Sequence, residues 1–346
     1  MDARLTDEQQ ALRESAARVA ADLALRSPAE LPPTGPGEVE WAALGRMGLL
    51  GMRIPESAGG MPVSGVEVVL AAEELGRRLV PLPFVGSAIC ATSLLVAAGA
   101  SAGVLESLSA GRLRVAPALA PTLERLALRG EPAVAWDARG AEASLVVERE
   151  SRRLVAVRAC SARLDAVDLT RELRAVEATA ETVDLGDLGG ALPADAVDRV
   201  LALTLAALAA DLVGVMQAAL DLSVAHVSAR VQFGVPVGTF QAVQHMAAEA
   251  AVSIEAARGL AWYAGWAVDE LDAEEALLAA RTAKAYCSEH AREVTETALQ
   301  LHGGVGFTWE HMLHVLVRRA LTGRQTLGDE HAHLEAIAAR RSLAPA

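Results

Sequence analysis

Residues 230–245 read Arg230-Val-Gln-Phe-Gly-Val-Pro-Val-Gly-Thr-Phe-Gln-Ala-Val-Gln-His245 and interrupt two long helical patterns. Upstream, 194–229 is a mostly apolar helix in the making. Downstream, Phe240, Val243, Ala247, Ala251 and Ile254 recur every three or four residues, which puts them on one face of a helix over 240–269. Gly234, Pro236 and Gly238 supply the break, because glycine and proline end helices and permit tight loops. Arg230 closes the first helix, where a cation suits the carbonyl end of the dipole. Its guanidinium is also the side chain best shaped to fork onto a phosphate. Spacing alone favours an ordinary helix-helix turn.

The same periodicity continues over 273–301, 309–322 and 329–342. Short loops between such helices predict an antiparallel four-helix bundle. At the other end, Thr6 and Gln9 form a capping box for a helix near 7–26. Pro28, Pro32, Pro33 and Pro36 mark a loop, Trp41 to Leu50 a short helix, and Gly65 to Leu79 a longer one. Its Glu73-Glu74 pair is expected on a solvated face, with contact to a partner as the sharper alternative. Residues 84–111 add one or two helices. From 113 to 190 the texture changes to short β-branched or alternating segments at 115–120, 133–136, 143–148, 154–158 and 181–185. These predict a small antiparallel β domain. The fold class is therefore α+β, mainly α, divided at 1–112, 113–192 and 193–346.

Composition narrows the function. The chain has 346 residues, 52% of them apolar, and a net charge of −13. That charge argues against a nucleic-acid surface or an anionic membrane as partner. The apolar run at 200–220 contains Asp211 and Gln217 and reads as a core helix, not a membrane span. Cys90, Cys160 and Cys287 form no CxxC pair and read as reduced thiols of a cytoplasmic protein. The acidic, polar start from Met1 to Glu8 does not read as a signal peptide. His245 and His302 read as packing or hydrogen-bonding side chains. His311, His314, His331 and His333 lack acidic or cysteine partners at ligand spacing, so they read as solvated surface and no metal is expected.

The opening stretch resembles the signature of flavin-dependent acyl-CoA dehydrogenases. Gln300-Leu-His-Gly-Gly-Val-Gly-Phe-Thr-Trp-Glu-His311 resembles that family's other flavin-binding loop, and Leu49-Leu-Gly-Met-Arg-Ile-Pro-Glu-Ser-Ala-Gly-Gly60 its N-terminal domain. The resemblance implies α,β-dehydrogenation of an acyl-CoA, with FAD held between two subunits and an electron-transfer flavoprotein or similar acceptor downstream. Arg230, Gln232 and Phe233 would hold the pyrophosphate and adenine half, with Val237, Phe240 and Gln241 beside it. Gln300, Gly303 and Gly304 of the two-fold mate would close over it. The family's middle motif is not recognisable here, though Asp168-Leu-Thr-Arg-Glu-Leu-Arg174 resembles a loop of its short members. The catalytic glutamate is missing too: its two usual positions fall on Thr204 and Gly328. Asp211, seven residues after Thr204 on the same helix face, is the remaining candidate base, or else half of an internal ion pair. Short chains without the base resemble subunits of α2β2 enzymes acting on steroid side chains and other bulky thioesters. Three readings follow: a FAD-binding subunit working with a base-bearing homologue, an autonomous homo-oligomeric dehydrogenase using Asp211, and a non-catalytic structural homologue.

Overall fold

The computed structural model describes residues 4–343, the last three of them by backbone alone. The first three residues, on which the reading of the N-terminus partly rests, lie outside the described residues. Helix α1 (Asp7–Leu23) starts at the expected capping box, with the Thr6 and Gln9 side chains each bonded to the other's backbone. Then come α2 (Glu38–Arg46), α3 (Gly65–Arg77), a π-helical segment over Phe84–Ala91 that runs into α4 (Thr92–Ala98), and α5 (Ala102–Ser109). The sheet section holds β1 (Val115–Leu119), β2 (Ala133–Ala135), β3 (Ala143–Val147), β4 (Leu154–Val157) and β5 (Arg174–Val176). The C-terminal bundle comprises α6 (Ala194–Ala229), α7 (Gln241–Glu270), α8 (Ala273–His302), α9 (Leu313–Gln325) and α10 (Glu330–Leu343). The break between α6 and α7 is a tiny hairpin of β6 (Val231–Gln232) and β7 (Val235–Pro236).

The sheet departs from expectation in two ways. Its order is β4-β3-β1-β2-β5, and β1 pairs with β3 in parallel, Val115 opposite Ala143. Parallel pairing needs an intervening segment that brings the chain back to the same end. Residues 120–142, which carry β2 down the other side of β1, do this. The fifth strand is 174–176 and not 181–185. In the latter, Asp184 Oδ1 accepts from the Gly186 amide at 2.9 Å and turns the chain, leaving one bridge from Thr182 to Val157.

One continuous core joins the N-terminal helices, one sheet face and the C-terminal bundle. Helix α6 runs through its middle. It is long and apolar enough to cross a membrane by composition, yet 89% of its most apolar window is buried within the fold. Where α3 crosses α6, backbone touches backbone: a Cβ on Gly214 would lie 2.1 Å from the Glu73 carbonyl oxygen. Neither backbone can swing aside as a side chain would. Gly214→Ala is therefore expected to destabilise by about 1–3 kcal/mol, the usual cost of overpacking. Urea titration of the variant checks this, and an unchanged midpoint would contradict it.

The Glu73-Glu74 pair lies inside, contrary to expectation. Glu73 accepts from Arg258 Nε of α7 at 2.8 Å, and Glu74 accepts from Arg13 Nε of α1 at 2.9 Å. The two carboxylates thus tie three helices together. Glu73 continues the apolar stripe of Val66, Val69 and Leu70, so its burial follows from helical geometry.

Candidate active site

A cavity of about 460 Å³ opens between the sheet section and α6. Val200, Leu201 and Thr204 of α6 form one wall, with Leu126, Leu128 and Val147 from the sheet section opposite. Leu327, in the turn between α9 and α10, also lines it. Of the two positions where a catalytic carboxylate was sought, Thr204 does face this cavity, with its hydroxyl donating to the Val200 carbonyl at 2.8 Å. Gly328 does not. Its missing Cβ would point at His333 Nε2, 3.2 Å away, and the cavity-facing residue of the turn is its neighbour Leu327. Leu327 adopts a left-handed φ of 58°, and its amide donates to the Leu123 carbonyl at 2.7 Å, which ties the turn to the sheet section. Cys90 also lines the cavity, and burial pushes its thiol up to about 12.

The turn is held from below by Lys284 of α8. This fully buried ammonium donates to Ser288 Oγ and to the Arg324 and Gly328 carbonyls, each at 2.9 Å. Burial pushes it down to about 7. His333 lies beside it, 3% exposed, and is not the solvated residue expected. Burial, together with the Lys284 and Arg281 charges, pushes the imidazole down to about 3. An unfolded histidine titrates near 6.5, so between these values only the unfolded chain takes up the proton. The stability this neutral ring allows is complete above pH 6.5 and is lost as pH falls toward 3, at about 1.4 kcal/mol per pH unit. Denaturation midpoints of His333→Leu should be flatter from pH 6.5 to 4 than those of the parent chain. Parallel slopes would contradict the assignment.

Asp211 sits two turns along α6 from Thr204 and outside the cavity lining. Arg319 of α9 grips it with both arms, Nη2 to Oδ1 at 2.6 Å and Nε to Oδ2 at 3.0 Å. Arg171 adds a third contact at 3.3 Å and reaches Asp137 at 2.5 Å. Arg319 also donates to Thr170 Oγ1 at 2.7 Å, and that hydroxyl donates to Asp168 at 2.6 Å. Burial pushes the Asp211 carboxyl up, but the charges of Arg319 and Arg171 outweigh it and hold the group below the ordinary carboxylate range. For Asp137 burial prevails over Arg171, and its carboxyl is raised. This follows from three carboxylates sharing two guanidiniums. The Asp168-Leu-Thr-Arg loop is thus a clasp between the sheet section and the bundle. Spacing had pointed to Asp211 and missed Arg319, although Arg319 lies three residues after Leu316 on the buried stripe of α9.

The loops expected to hold flavin gather at the far end of α6. Arg230 is exposed, and its guanidinium has no hydrogen bond or ion pair with a described residue. Its carbonyl accepts from the Val237 amide at 2.8 Å, closing the hairpin. Phe233, at a left-handed φ of 54° and 93% exposed, stands edge-on to Phe240 with 6.3 Å between ring centres. Gln232, Gln241 and Gln300 are exposed, and Val237 is half-buried. Gly303 and Gly304 face open space, with nothing within 4 Å of where a Cβ would be. The helix ends that lead into the two loops, expected to act from opposite chains, also meet within one chain. His226, four residues before Arg230, stacks on His302 with ring centres 4.6 Å apart. His302 is buried as expected, with Nδ1 2.8 Å from the Ala298 carbonyl oxygen, whereas His245 is exposed on α7. His311 packs on His302 and His314 on Trp309, so both are half-buried, and His331 is exposed. Among the described residues no three His, Cys, Asp or Glu side chains converge in a metal-binding group.

Comparison with known proteins resolves the family. The pattern of the acyl-CoA dehydrogenase N-terminal domain matches residues 6–103, and that of the C-terminal domain matches residues 195–342. Acyl-CoA dehydrogenase IpdE2 of Mycobacterium tuberculosis is 32% identical over 327 residues, covering 93% of each chain. The chain belongs to the acyl-CoA dehydrogenase family. Acyl-CoA dehydrogenases are flavin-dependent oxidoreductases that act on acyl-CoA thioesters. A Tcur3481-Tcur3483 steroid ACAD variant superposes with a TM-score of 0.82 at 25% identity, over 97% of this chain and 98% of that one. The ChsE4-ChsE5 complex of Mycobacterium tuberculosis shares the fold, with a TM-score of 0.81 at 22% identity over the full length of both chains.

Proposed function

We propose that this chain is a FAD-binding subunit of an acyl-CoA dehydrogenase that relies on a homologous partner for its catalytic base. The observation that carries the reading is that the residues lining the cavity at the two base positions are Thr204 and, in the turn beside Gly328, Leu327. A hydroxyl committed to a backbone carbonyl and an alkyl group cannot take the α proton of a thioester, a weak carbon acid that needs a positioned carboxylate. Asp211 offers no substitute, since both its oxygens are bound by arginine. Its role in this reading is structural.

The other half of the equipment is present. Arg230 offers an unneutralised guanidinium for a pyrophosphate. Gly303 and Gly304 let backbone N–H groups approach a phosphate with no Cβ in the way. Phe233, Phe240 and Val237 supply apolar contact, and Gln232, Gln241 and Gln300 the polar groups around it. Bound flavin supplies the two-electron acceptor for the dehydrogenation. Arg230 follows Thr204 by 26 residues, so the loop lies roughly 39 Å along the helix from this chain's own cavity. At that distance it serves a dinucleotide seated against another polypeptide. Two of the solved neighbours are named for pairs of chains, which supports an α2β2 partnership, and one is named a steroid ACAD, which supports a bulky thioester. An electron-transfer flavoprotein or similar acceptor would take the electrons onward. The free thiols of Cys90, Cys160 and Cys287 accord with a cytoplasmic setting.

Producing the chain alone and together with a longer, base-bearing acyl-CoA dehydrogenase tests the reading. Stable co-purification with flavin, and flavin reduction by thioester in the complex alone, are the expected results. A colourless complex would show a non-catalytic structural homologue, and thioester-driven reduction in the isolated chain would show an autonomous enzyme.

A further inference from the structure

Given the proposed assignment of the two loops to FAD, we infer that the imidazoles packed beneath them take up a proton when the dinucleotide phosphates bind, with His226 as the main acceptor. Helices α6 and α8 meet at their C-terminal ends, and each carries a histidine in its last turn, His226 and His302. His302 is the middle of a row of three rings, its centre 4.6 Å from that of His226 and 4.7 Å from that of His311. The chain itself joins this row to both loops. His226 lies one helical turn before Arg230, and Gly303 directly follows His302. A charge on either ring is therefore close to whatever the loops bind.

The row lacks a counter-charge. The groups that face it are Arg230 and His314, and no carboxylate of a described residue bonds to any of the three rings. Glu310, next to His311 in sequence, is exposed. His302 donates from Nδ1 to the Ala298 carbonyl at 2.8 Å, while its Nε2 is buried with no hydrogen-bond partner. Ser223 Oγ lies 3.5 Å from the same Nδ1 but donates to the Ala219 carbonyl. Burial, then His302 and Arg230, push the His226 imidazole down, and burial with His302, His226 and His314 does the same to His311. Yet the carbonyl ends of two helices favour a cation here, and half-buried His226 keeps part of its hydration. A phosphate at Arg230 and Gly303 supplies the missing negative charge and so favours the protonated ring. A group that holds its proton more tightly in the complex than in the free protein makes binding tighten as pH falls from the bound to the free pKa. The pyrophosphate of FAD is fully ionised throughout this range, so the titrating groups belong to the protein.

Calorimetric titration of the flavin-depleted heteromeric complex with FAD, in two buffers of different ionisation heat, counts the protons. At pH 6.5 binding should take up a measurable fraction of a proton, up to about one per site. Affinity should rise by about threefold or more from pH 8 to pH 6, the equivalent of at least half a pKa unit. His226→Phe keeps a ring in the stack and removes the titration, so both the proton uptake and the slope should fall toward zero. The count on the parent complex needs no variant and stands even if His226→Phe folds poorly. Absence of proton uptake by the parent, an affinity that is flat or weakens with acid, or uptake unchanged in His226→Phe would each overturn the proposal while leaving the flavin assignment intact. Failure of FAD to bind at any pH would overturn the flavin assignment and this proposal with it.

Discussion

Arg319→Ala is expected to destabilise the chain by about 3–5 kcal/mol, the usual cost of breaking a buried ion pair from one side. Arg319 is 2% exposed and binds Asp211, with Asp168 3.8 Å away. Removing it leaves three buried carboxylates against the single guanidinium of Arg171. Desolvated charge of one sign is among the least tolerable things a core can hold. Since a typical domain is stable by only about 5–15 kcal/mol, the variant should accumulate poorly at growth temperature. Its deficit should also shrink as pH falls, because protonating a buried carboxylate that has lost its guanidinium removes the surplus negative charge. Asp211→Asn makes the informative comparison. It leaves two carboxylates against two guanidiniums and keeps the side-chain shape, so it should cost less than Arg319→Ala. Guanidinium chloride unfolding of both variants decides the point. If Asp211→Asn were as damaging as Arg319→Ala, or if it alone removed turnover from a stably folded complex, the clasp would be more than structural.

The second large effect falls on the cofactor. Arg230→Ala should weaken flavin binding by about 10- to 100-fold, corresponding to the roughly 1.5–3 kcal/mol of a hydrogen bond to a charged group. The guanidinium is exposed and contributes nothing to the core, so unfolding midpoints should not move. The variant complex should therefore purify intact but with less flavin, and added FAD should restore its colour at higher concentration. Weakened binding should also depend less on salt, since a phosphate contact is lost. Unchanged flavin content would mean that the hairpin between α6 and α7 does not meet the pyrophosphate.

Most of the helical architecture is legible in the residues, and the reason is periodicity. The apolar faces of α6, α7 and α8 repeat over eight or more turns each, so local spacing and tertiary burial agree. The sheet is less so. Strands of three to five residues carry little pattern, and the parallel pairing of β1 with β3 is decided by where β2 lies, which no local window contains. Buried charge was the harder lesson. Glu73, Lys284, Arg319 and His333 look like surface residues by type; the first three are inside because a partner elsewhere in the chain meets each, and His333 is buried with neither ring nitrogen hydrogen-bonded to a described residue. For Glu73 and Arg319 the helical stripe itself carried the signal. For Lys284 and His333 the determining contact is the turn at Gly328, whose backbone geometry is invisible in the residue order. That same turn shifted the cavity-facing position from Gly328 to Leu327.

The most direct test of the division of labour is made on the partner. In the purified heteromeric complex, exchanging the base-bearing subunit's catalytic glutamate for glutamine should leave flavin content and assembly unchanged. It should lower thioester-driven flavin reduction by about 10²- to 10⁴-fold, the usual contribution of a positioned general base. Undiminished reduction would mean that this chain abstracts the proton itself, and the account would fail.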